Sequence, residues 1–122
     1  MSVPAFNDYL LPVLRATVDG AEHTIAELVE AMAKHFNLSD ADVGEMLPSG
    51  TQARHQNRVY WARTYLAKAG LLDATGRGRF KITQRGQDLL AKKPAKIDHN
   101  ILVQDPEVKV FSKQHGGAQH AT

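Results

Sequence analysis

Apolar side chains recur every three or four residues in the N-terminal part of the chain, which predicts two amphipathic helices there. The first covers residues 6–14. Pro12 has no amide proton, so this helix either kinks or starts near Leu11. Residues 24–27 match a capping box and predict the start of a second helix, which we expect to stop at Asn37.

Two further helices are predicted on either side of a Pro-Ser-Gly break at residues 48–50. Acidic residues suited to a first turn indicate a short helix before the break, from Ser39 to near Leu47. After the break, residues 51–69 form the longest predicted helix, and Gly70 is placed to end it.

The next segment has the pattern of a β-hairpin. Two short apolar runs, residues 70–73 and 79–83, are separated by a stretch that contains two glycines. Basic and apolar residues alternate in the second run, which predicts one exposed face and one buried face. Thr83 can then cap a further helix that includes Leu89.

This order of elements predicts a mainly α winged helix-turn-helix, with about five helices and a two-stranded β-hairpin wing. We expect residues 1–94 to form this domain, and residues 95–122 to form a linker-like C-terminal segment with a disordered tail. Residues 105–107 are a fair helix start within that segment.

Composition limits the classes of function. The 122 residues are 43% hydrophobic, enough for one domain with its own core. No apolar run reaches the roughly 18 residues of a membrane span, so we expect a soluble cytoplasmic protein. Cysteine is absent, and the six histidines lack the i, i+4 spacing of a metal site. Residues 105–109 hold two acids and a lysine, as in metal-dependent nucleases, but a helix start explains them. We predict no catalytic residue, metal or cofactor.

Charge is divided between the two halves of the chain. Residues 1–50 hold two basic and eight acidic side chains, a net charge of −6, whereas residues 51–94 hold ten basic and two acidic ones, a net charge of +8. A basic segment of this density attracts polyanions, because neutralising phosphates releases condensed counterions. Nucleic acid is the expected partner, and a solvated basic face without a partner is the alternative.

The long predicted helix carries the candidate DNA contacts, because its N-terminal part enters the major groove in this fold. Arg54 and Arg58 are the best candidates, since guanidinium groups pair bidentately with guanine edges or phosphate. The alternative is two solvated arginines. Other polar residues that could read bases, or form only a polar exterior, are Thr51, Gln52, His55, Gln56 and Asn57. Of these, Asn57 is expected to project outward, and His55 is expected to pack if it lies on the core side.

Two aromatic residues on the same helix invite a base-stacking interpretation. Trp61 and Tyr65 lie close to the arginines, but mid-helix aromatics of a small domain usually pack in the core, and we expect that role. In the wing, Arg77 lies at the tip, where it can reach a phosphate or a narrow minor groove. Arg79 and Lys81 are expected on the outward strand face. The alternative is a hairpin that contacts nothing.

A succession of short motifs resembles the N-terminal domain of Mrr-type restriction proteins over roughly residues 4–93. The matching motifs are residues 11–14, 19–20, 47–50, 57–62, 66–72 and 82–83 with Gly86. The resemblance implies a winged helix that binds DNA, placed in that family ahead of a nuclease domain that cuts modified, typically methylated, DNA. The resemblance does not imply that this chain prefers methylated bases, since the sequence shows no pattern of a pocket for a flipped-out base.

We therefore predict a double-stranded DNA-binding domain of a Mrr-like restriction system that lacks the nuclease domain and is not itself an enzyme. Its predicted partners are double-stranded DNA, modified or not, a nuclease domain in cis or in trans, and a second copy in a homodimer. The alternative is a winged-helix protein-protein interaction or dimerisation module that does not bind DNA. Fold alone does not separate these functions, but phosphate binding weakens steeply with salt.

Overall fold

The computed structural model describes residues 3–76 and 78–94 together with Ile97. The elements in chain order are α1 (Asn7–Ala16), β1 (His23–Thr24), α2 (Ile25–His35), α3 (Asp40–Gly44), α4 (Arg54–Lys68), β2 (Leu72–Gly76), β3 (Arg79–Ile82) and α5 (Gln84–Ala91). Among these elements no helix is long and apolar enough to cross a membrane. The predicted helix start at residues 105–107 and the predicted tail lie outside the described residues.

Hydroxyl side chains start three of the helices. The Thr24 hydroxyl accepts the Glu27 amide at 3.2 Å, and Thr83 caps α5 in the same way. The Glu27 carboxylate accepts from the Thr24 hydroxyl at 3.3 Å and not from its backbone, so only half of the predicted capping box forms. The complete box is at α3, where Ser39 and Asp42 each accept the other's amide at 3.1 Å. Each bond satisfies an amide that lacks a helical partner.

Helix α1 begins at Asn7 and continues through Pro12, so a start near Leu11 is wrong. The apolar stripe that predicted this helix forms much of the core: Tyr9, Leu10, Val13 and Leu14 are fully buried. Proline in a helix interior forfeits one backbone hydrogen bond. Burial of these side chains on the core side offsets that cost.

Asn37 ends α2 as predicted. Its φ of +54° lies in the left-handed region, which asparagine tolerates better than most residues. The Leu38 amide donates to the Ala33 carbonyl at 2.9 Å, and the Asn37 amide donates to the Lys34 carbonyl at 3.1 Å. These two bonds are those of a Schellman motif and satisfy carbonyls at the helix end.

The connection between α3 and α4 folds back on itself. The Leu47 amide donates to the Gln52 carbonyl at 2.9 Å, and the Arg54 amide donates to the Glu45 carbonyl at 2.8 Å. Helix α3 therefore ends at Gly44, earlier than the predicted end near Leu47, and α4 begins at Arg54 and not at residue 51. The backbone groups that a longer helix would need are already used inside this loop.

The hairpin is part of a three-stranded antiparallel sheet with the order β1-β3-β2. Strands β2 and β3 pair from Leu72 opposite Ile82 to Gly76 opposite Arg79, with an irregularity near Ala74. Strand β1 was not predicted; its His23 lies opposite Phe80. Two residues are too few for an alternating pattern to identify a strand.

The core lies between α1, α2, α4 and the inner face of the sheet. Helix α4 buries Val59, Ala62 and Leu66 against it, and the strands add Phe80 and Ile82. Helices α1, α2 and α4, with the β2–β3 hairpin beyond α4, form the predicted mainly α winged helix-turn-helix. The fold therefore presents α4 and the hairpin side by side.

Candidate nucleic-acid interface

The outward face of α4 differs from the one predicted from the sequence. Gln56 is exposed, and Tyr60 retains 41% of its accessible surface. Arg63 and Thr64 follow at helical spacing and are partly exposed. Together, Gln56, Tyr60, Arg63 and Thr64 form the outward face of α4. Of them, only Gln56 was considered as a DNA contact in the sequence.

Arg54 is at the surface but already has an anionic partner. Its Nε atom lies 2.7 Å from Oε2 of Glu45, and the Arg54 side chain is 22% exposed. The backbone bond from the Arg54 amide to the Glu45 carbonyl holds the two residues together. A partly exposed ion pair of this kind contributes only about 0 to 1 kcal/mol, so Glu45 holds the Arg54 guanidinium only weakly.

His55 is a core residue, as expected for a histidine on the inner side of the helix. It is fully buried and lies 2.7 Å from the Tyr9 hydroxyl through Nδ1 and 2.8 Å from the Val29 carbonyl through Nε2. Because a carbonyl only accepts, Nε2 donates to Val29, and in the neutral ring Nδ1 accepts from Tyr9. Burial raises the pKa of the Tyr9 phenol, which keeps it a donor. His55 thus joins the start of α4 to α1 and α2.

Asn57 and Arg58 are also more buried than predicted. Asn57 is 9% exposed and its Nδ2 donates to Oε1 of Gln52 at 3.2 Å, so its placement on the outward side is wrong. Arg58 is 5% exposed, and Nη1 donates to Oδ1 of Asn57 at 3.5 Å. Burial lowers the pKa of the Arg58 guanidinium, and the charge of Arg54 lowers it further. In this state neither side chain is available to a base edge.

Thr51 and Gln52 lie in the turn before α4 and not on the helix. The Thr51 hydroxyl is 3.0 Å from that of Ser49, and Thr51 is exposed. The Gln52 side chain is half-buried and accepts a hydrogen bond from Asn57. Both residues remain next to the first turn of α4, where amide N–H groups favour an anion.

The hairpin presents its basic residues outward, as the alternating pattern predicted. Arg79 and Lys81 are exposed, while Phe80 and Ile82 between and beyond them are buried. Arg79 lies 3.8 Å from the Glu22 carboxylate in an exposed ion pair. Arg77 lies outside the described residues. The wing therefore adds two outward cations to the side of α4.

Arg63 was not predicted as a site residue. Its Cζ lies 5.1 Å from the centre of the Tyr60 ring and 5.8 Å from the centre of the Phe80 ring. The guanidinium thus lies between α4 and β3, in cation–π contact with both. A sequence signal existed, because Tyr60 and Arg63 have the i, i+3 spacing of neighbours on a helix.

The other aromatic residues of α4 belong to the core, as predicted. Tyr65 is fully buried, with its ring centre 5.4 Å from that of Phe6, and Trp61 is partly buried against the core. Within residues 3–76, 78–94 and 97, no three His, Cys, Asp or Glu side chains are grouped so as to hold a metal ion.

An ionic cluster surrounds His23 in the edge strand β1. Nε2 of His23 is 2.9 Å from Oδ1 of Asp19, and Nδ1 is 3.3 Å from Oε2 of Glu27. The hydrogen bond to Asp19 is the main cause of the raised pKa of His23. The same bond is the main cause of the lowered pKa of Asp19. The cluster supports the edge strand beside Phe80 of the wing.

Two sequence comparisons find relatives of this chain. The Mrr N-terminal domain family matches residues 6–92, a range that includes all the helices and strands of the described residues, from α1 to α5. The chain is 35% identical over 95 residues to the Type IV methyl-directed restriction enzyme EcoKMrr of Escherichia coli (strain K12). That alignment covers 77% of this chain and 31% of the relative, so the chain spans about a third of the relative's length. No solved structure matches the chain.

Proposed function

The chain belongs to the Mrr N-terminal domain family, and from this membership we propose that it binds double-stranded DNA through α4 and the β2–β3 hairpin. The observation that carries the proposal is the position of basic side chains on two adjacent elements. Arg54 and Arg63 lie on α4, and Arg79 and Lys81 point outward from β3. This is the pair of elements with which a winged helix holds a duplex.

In the proposed complex the charged residues contact the phosphate backbone. Arg54, at the start of α4, exchanges its Glu45 partner for a phosphate, and Arg79 does the same with Glu22. Lys81, which is exposed on β3, adds a further backbone contact. Thr51 and Gln52 lie close enough to the first turn of α4 to contact the backbone or a base edge.

The buried polar residues of α4 support the interface from behind. His55 fixes the rotation of the helix through its bonds to α1 and α2, and Asn57 does so through its bond to the preceding loop. Arg58 in turn donates to Asn57. We infer that they position the outward face and contact DNA only if α4 rearranges. Arg77, at the hairpin tip, stays a predicted contact to phosphate or the minor groove.

The proposed biological role is target recognition in a Mrr-like restriction system. The relative from Escherichia coli is described as a methyl-directed restriction enzyme, and the present chain corresponds to about a third of it. We propose that this chain supplies duplex recognition in the cytoplasm, with methylated sites as candidate targets and a nuclease domain acting in cis or in trans. We expect it to bind duplex without cutting it.

Fluorescence anisotropy of a labelled duplex, methylated and unmethylated, tests this proposal at several salt concentrations. Neutralising six phosphates would give a slope of about −5 in log affinity against log salt. The double variant Arg54→Ala/Lys81→Ala should bind about tenfold or more weakly at the same salt concentration. Lys34→Ala is the control for loss of an exposed positive charge outside the proposed contact surface, because Lys34 is exposed on α2.

The outcomes separate the two functions considered for this fold. Salt-dependent binding that weakens in the double variant but not in Lys34→Ala supports the DNA contact surface. Absence of duplex binding at low salt would overturn the proposal. Concentration-dependent dimers under those conditions would instead favour the protein-protein interaction module.

A further inference from the structure

We propose that Arg63 binds a phosphate of the DNA backbone where α4 meets the wing, with the Tyr60 ring holding its guanidinium in place. This inference rests on the proposed DNA-binding function and assigns one of its contacts. It also assigns Tyr60 as a positioning residue, because the ring acts on the phosphate through the guanidinium.

Two aromatic contacts hold the guanidinium of Arg63 in position. The guanidinium carbon is 5.1 Å from the Tyr60 ring centre on the same helix and 5.8 Å from the Phe80 ring centre on β3. Phe80 is buried, whereas Tyr60 is 41% exposed. The cation therefore lies between one buried ring and one exposed ring, and the Arg63 side chain is itself partly exposed. Such pre-orientation reduces the side-chain entropy lost on binding.

The charge of Arg63 is less compensated than those of Arg54 and Arg79. Within the described part of the chain, no Asp or Glu oxygen lies in ion-pair distance of Arg63, while Arg54 has Glu45 and Arg79 has Glu22. The buried Nε of Arg63 also has no hydrogen-bond partner among those residues. Aromatic rings attract a cation but do not satisfy its N–H groups. A phosphate would supply both the charge and the acceptors.

The position of Arg63 relative to Arg54 suits a duplex groove. Nine residues on a helix correspond to about 2.5 turns and a rise of about 13 Å. The extra half turn places Arg54 and Arg63 on opposite flanks of α4, with Gln56 and Tyr60 on the arc between them. A major groove is about 12 Å wide. With the outward face in the groove, the two arginines can reach the backbones on its two sides.

The test compares three variants of the full chain by duplex anisotropy over a range of salt. Arg63→Met keeps the aliphatic packing and removes the charge, so the salt slope should fall by about 0.9 and affinity by about tenfold at 0.1 M salt. Arg63→Lys keeps the charge, so the salt slope should not change. Its affinity should fall about threefold, because lysine lacks the planar guanidinium that stacks on the rings and pairs bidentately with phosphate. Tyr60→Leu removes the ring and should weaken binding about two- to fivefold at an unchanged slope.

Lys34→Met is the matched control, since it removes one positive charge from an exposed site on another helix. Its slope should stay within about 0.3 of the parent. An unchanged slope for Arg63→Met, with the parent chain binding duplex, would overturn the Arg63 contact and leave the proposed function standing. Failure of the parent chain to bind would overturn both. If circular dichroism shows that Arg63→Met is unfolded, Arg63→Lys provides the test. An affinity of Arg63→Lys equal to that of the parent chain would contradict the inference, and a threefold loss of affinity at an equal salt slope would support it.

Discussion

Replacing His55 by leucine should destabilise the fold through two buried hydrogen bonds. The histidine is fully buried at the start of α4 and joins it to Tyr9 of α1 and Val29 of α2. Leucine fills a similar space, but its side chain neither donates nor accepts a hydrogen bond. The substitution therefore isolates the polar network from the packing around it.

The expected loss of stability follows from the hydrogen bond that each partner of His55 loses. The Tyr9 hydroxyl, 2.7 Å from Nδ1, would be left buried without this partner, which costs about 1 to 3 kcal/mol. The Val29 carbonyl lies inside α2 and keeps its helical acceptor role, so its lost bond costs only about 1 kcal/mol. Together these give about 2 to 4 kcal/mol, a large part of the 5 to 15 kcal/mol typical of a small domain.

A double-mutant cycle with Tyr9→Phe identifies the bond itself. Tyr9→Phe alone should cost about 1 to 2 kcal/mol, because it leaves Nδ1 of His55 unsatisfied. In the double variant neither partner of that bond remains buried and unpaired, so its cost should be lower than the sum of the two single costs by about 1 kcal/mol or more. Free energies of unfolding from urea titration at constant pH provide the measurement.

His35→Leu is the matched control, since His35 is exposed at the end of α2, and its cost should stay below about 0.5 kcal/mol. Additivity of Tyr9→Phe and His55→Leu within about 0.3 kcal/mol would refute the assigned bond. So would a stability of His55→Leu equal to that of His35→Leu.

Two other predictions concern α5 and β1, which pack beside the wing. Gly86→Ala should destabilise the chain by about 3 kcal/mol, because a Cβ there would overlap the Leu71 carbonyl oxygen and lie 2.6 Å from Cγ1 of Ile82. Gly44→Ala, where no atom lies within 4 Å, should be neutral or slightly stabilising, and equal urea midpoints for the two variants would contradict the packing argument. The raised pKa of His23 predicts stability that is fully present below its unfolded pKa of about 6.5 and is lost as pH rises through the folded pKa. His23→Gln should therefore lose more stability relative to the parent at pH 6 than at pH 8.5, and a difference independent of pH would contradict the assigned cluster.

Local patterns predicted the elements whose determinants are close together in the chain. The caps at Thr24, Ser39 and Thr83, the stop at Asn37 and the alternation of β3 all depend on residues within a turn or a strand of one another. The resemblance over residues 4–93 is confirmed by the family match over residues 6–92. These features needed no tertiary information.

The errors concern side chains whose environment is set by distant partners. Arg58 was predicted to be one of the two best DNA contacts, but its side chain is buried, with 5% of its surface exposed. The His55 bond to Tyr9 spans 46 positions, and β1 exists only because β3 lies beside it. Periodicity within one segment does not contain such information.

The three arginines of α4 show why the density of charge in the sequence predicts a binding surface less well than the position of each charge in the fold. Arg58 is buried and contributes to the helix position, Arg54 is held by Glu45 at the surface, and Arg63 rests on two rings. Only the last two can approach a phosphate without rearrangement of α4. In the proposed complex, giving up a surface carboxylate such as Glu45 would cost only about 0 to 1 kcal/mol, and in the free protein Glu45 holds the Arg54 guanidinium at the surface at the start of α4. The intramolecular pairs therefore orient the proposed contacts more than they block them, and the few cations at the edges of α4 and on β3 would determine the salt dependence.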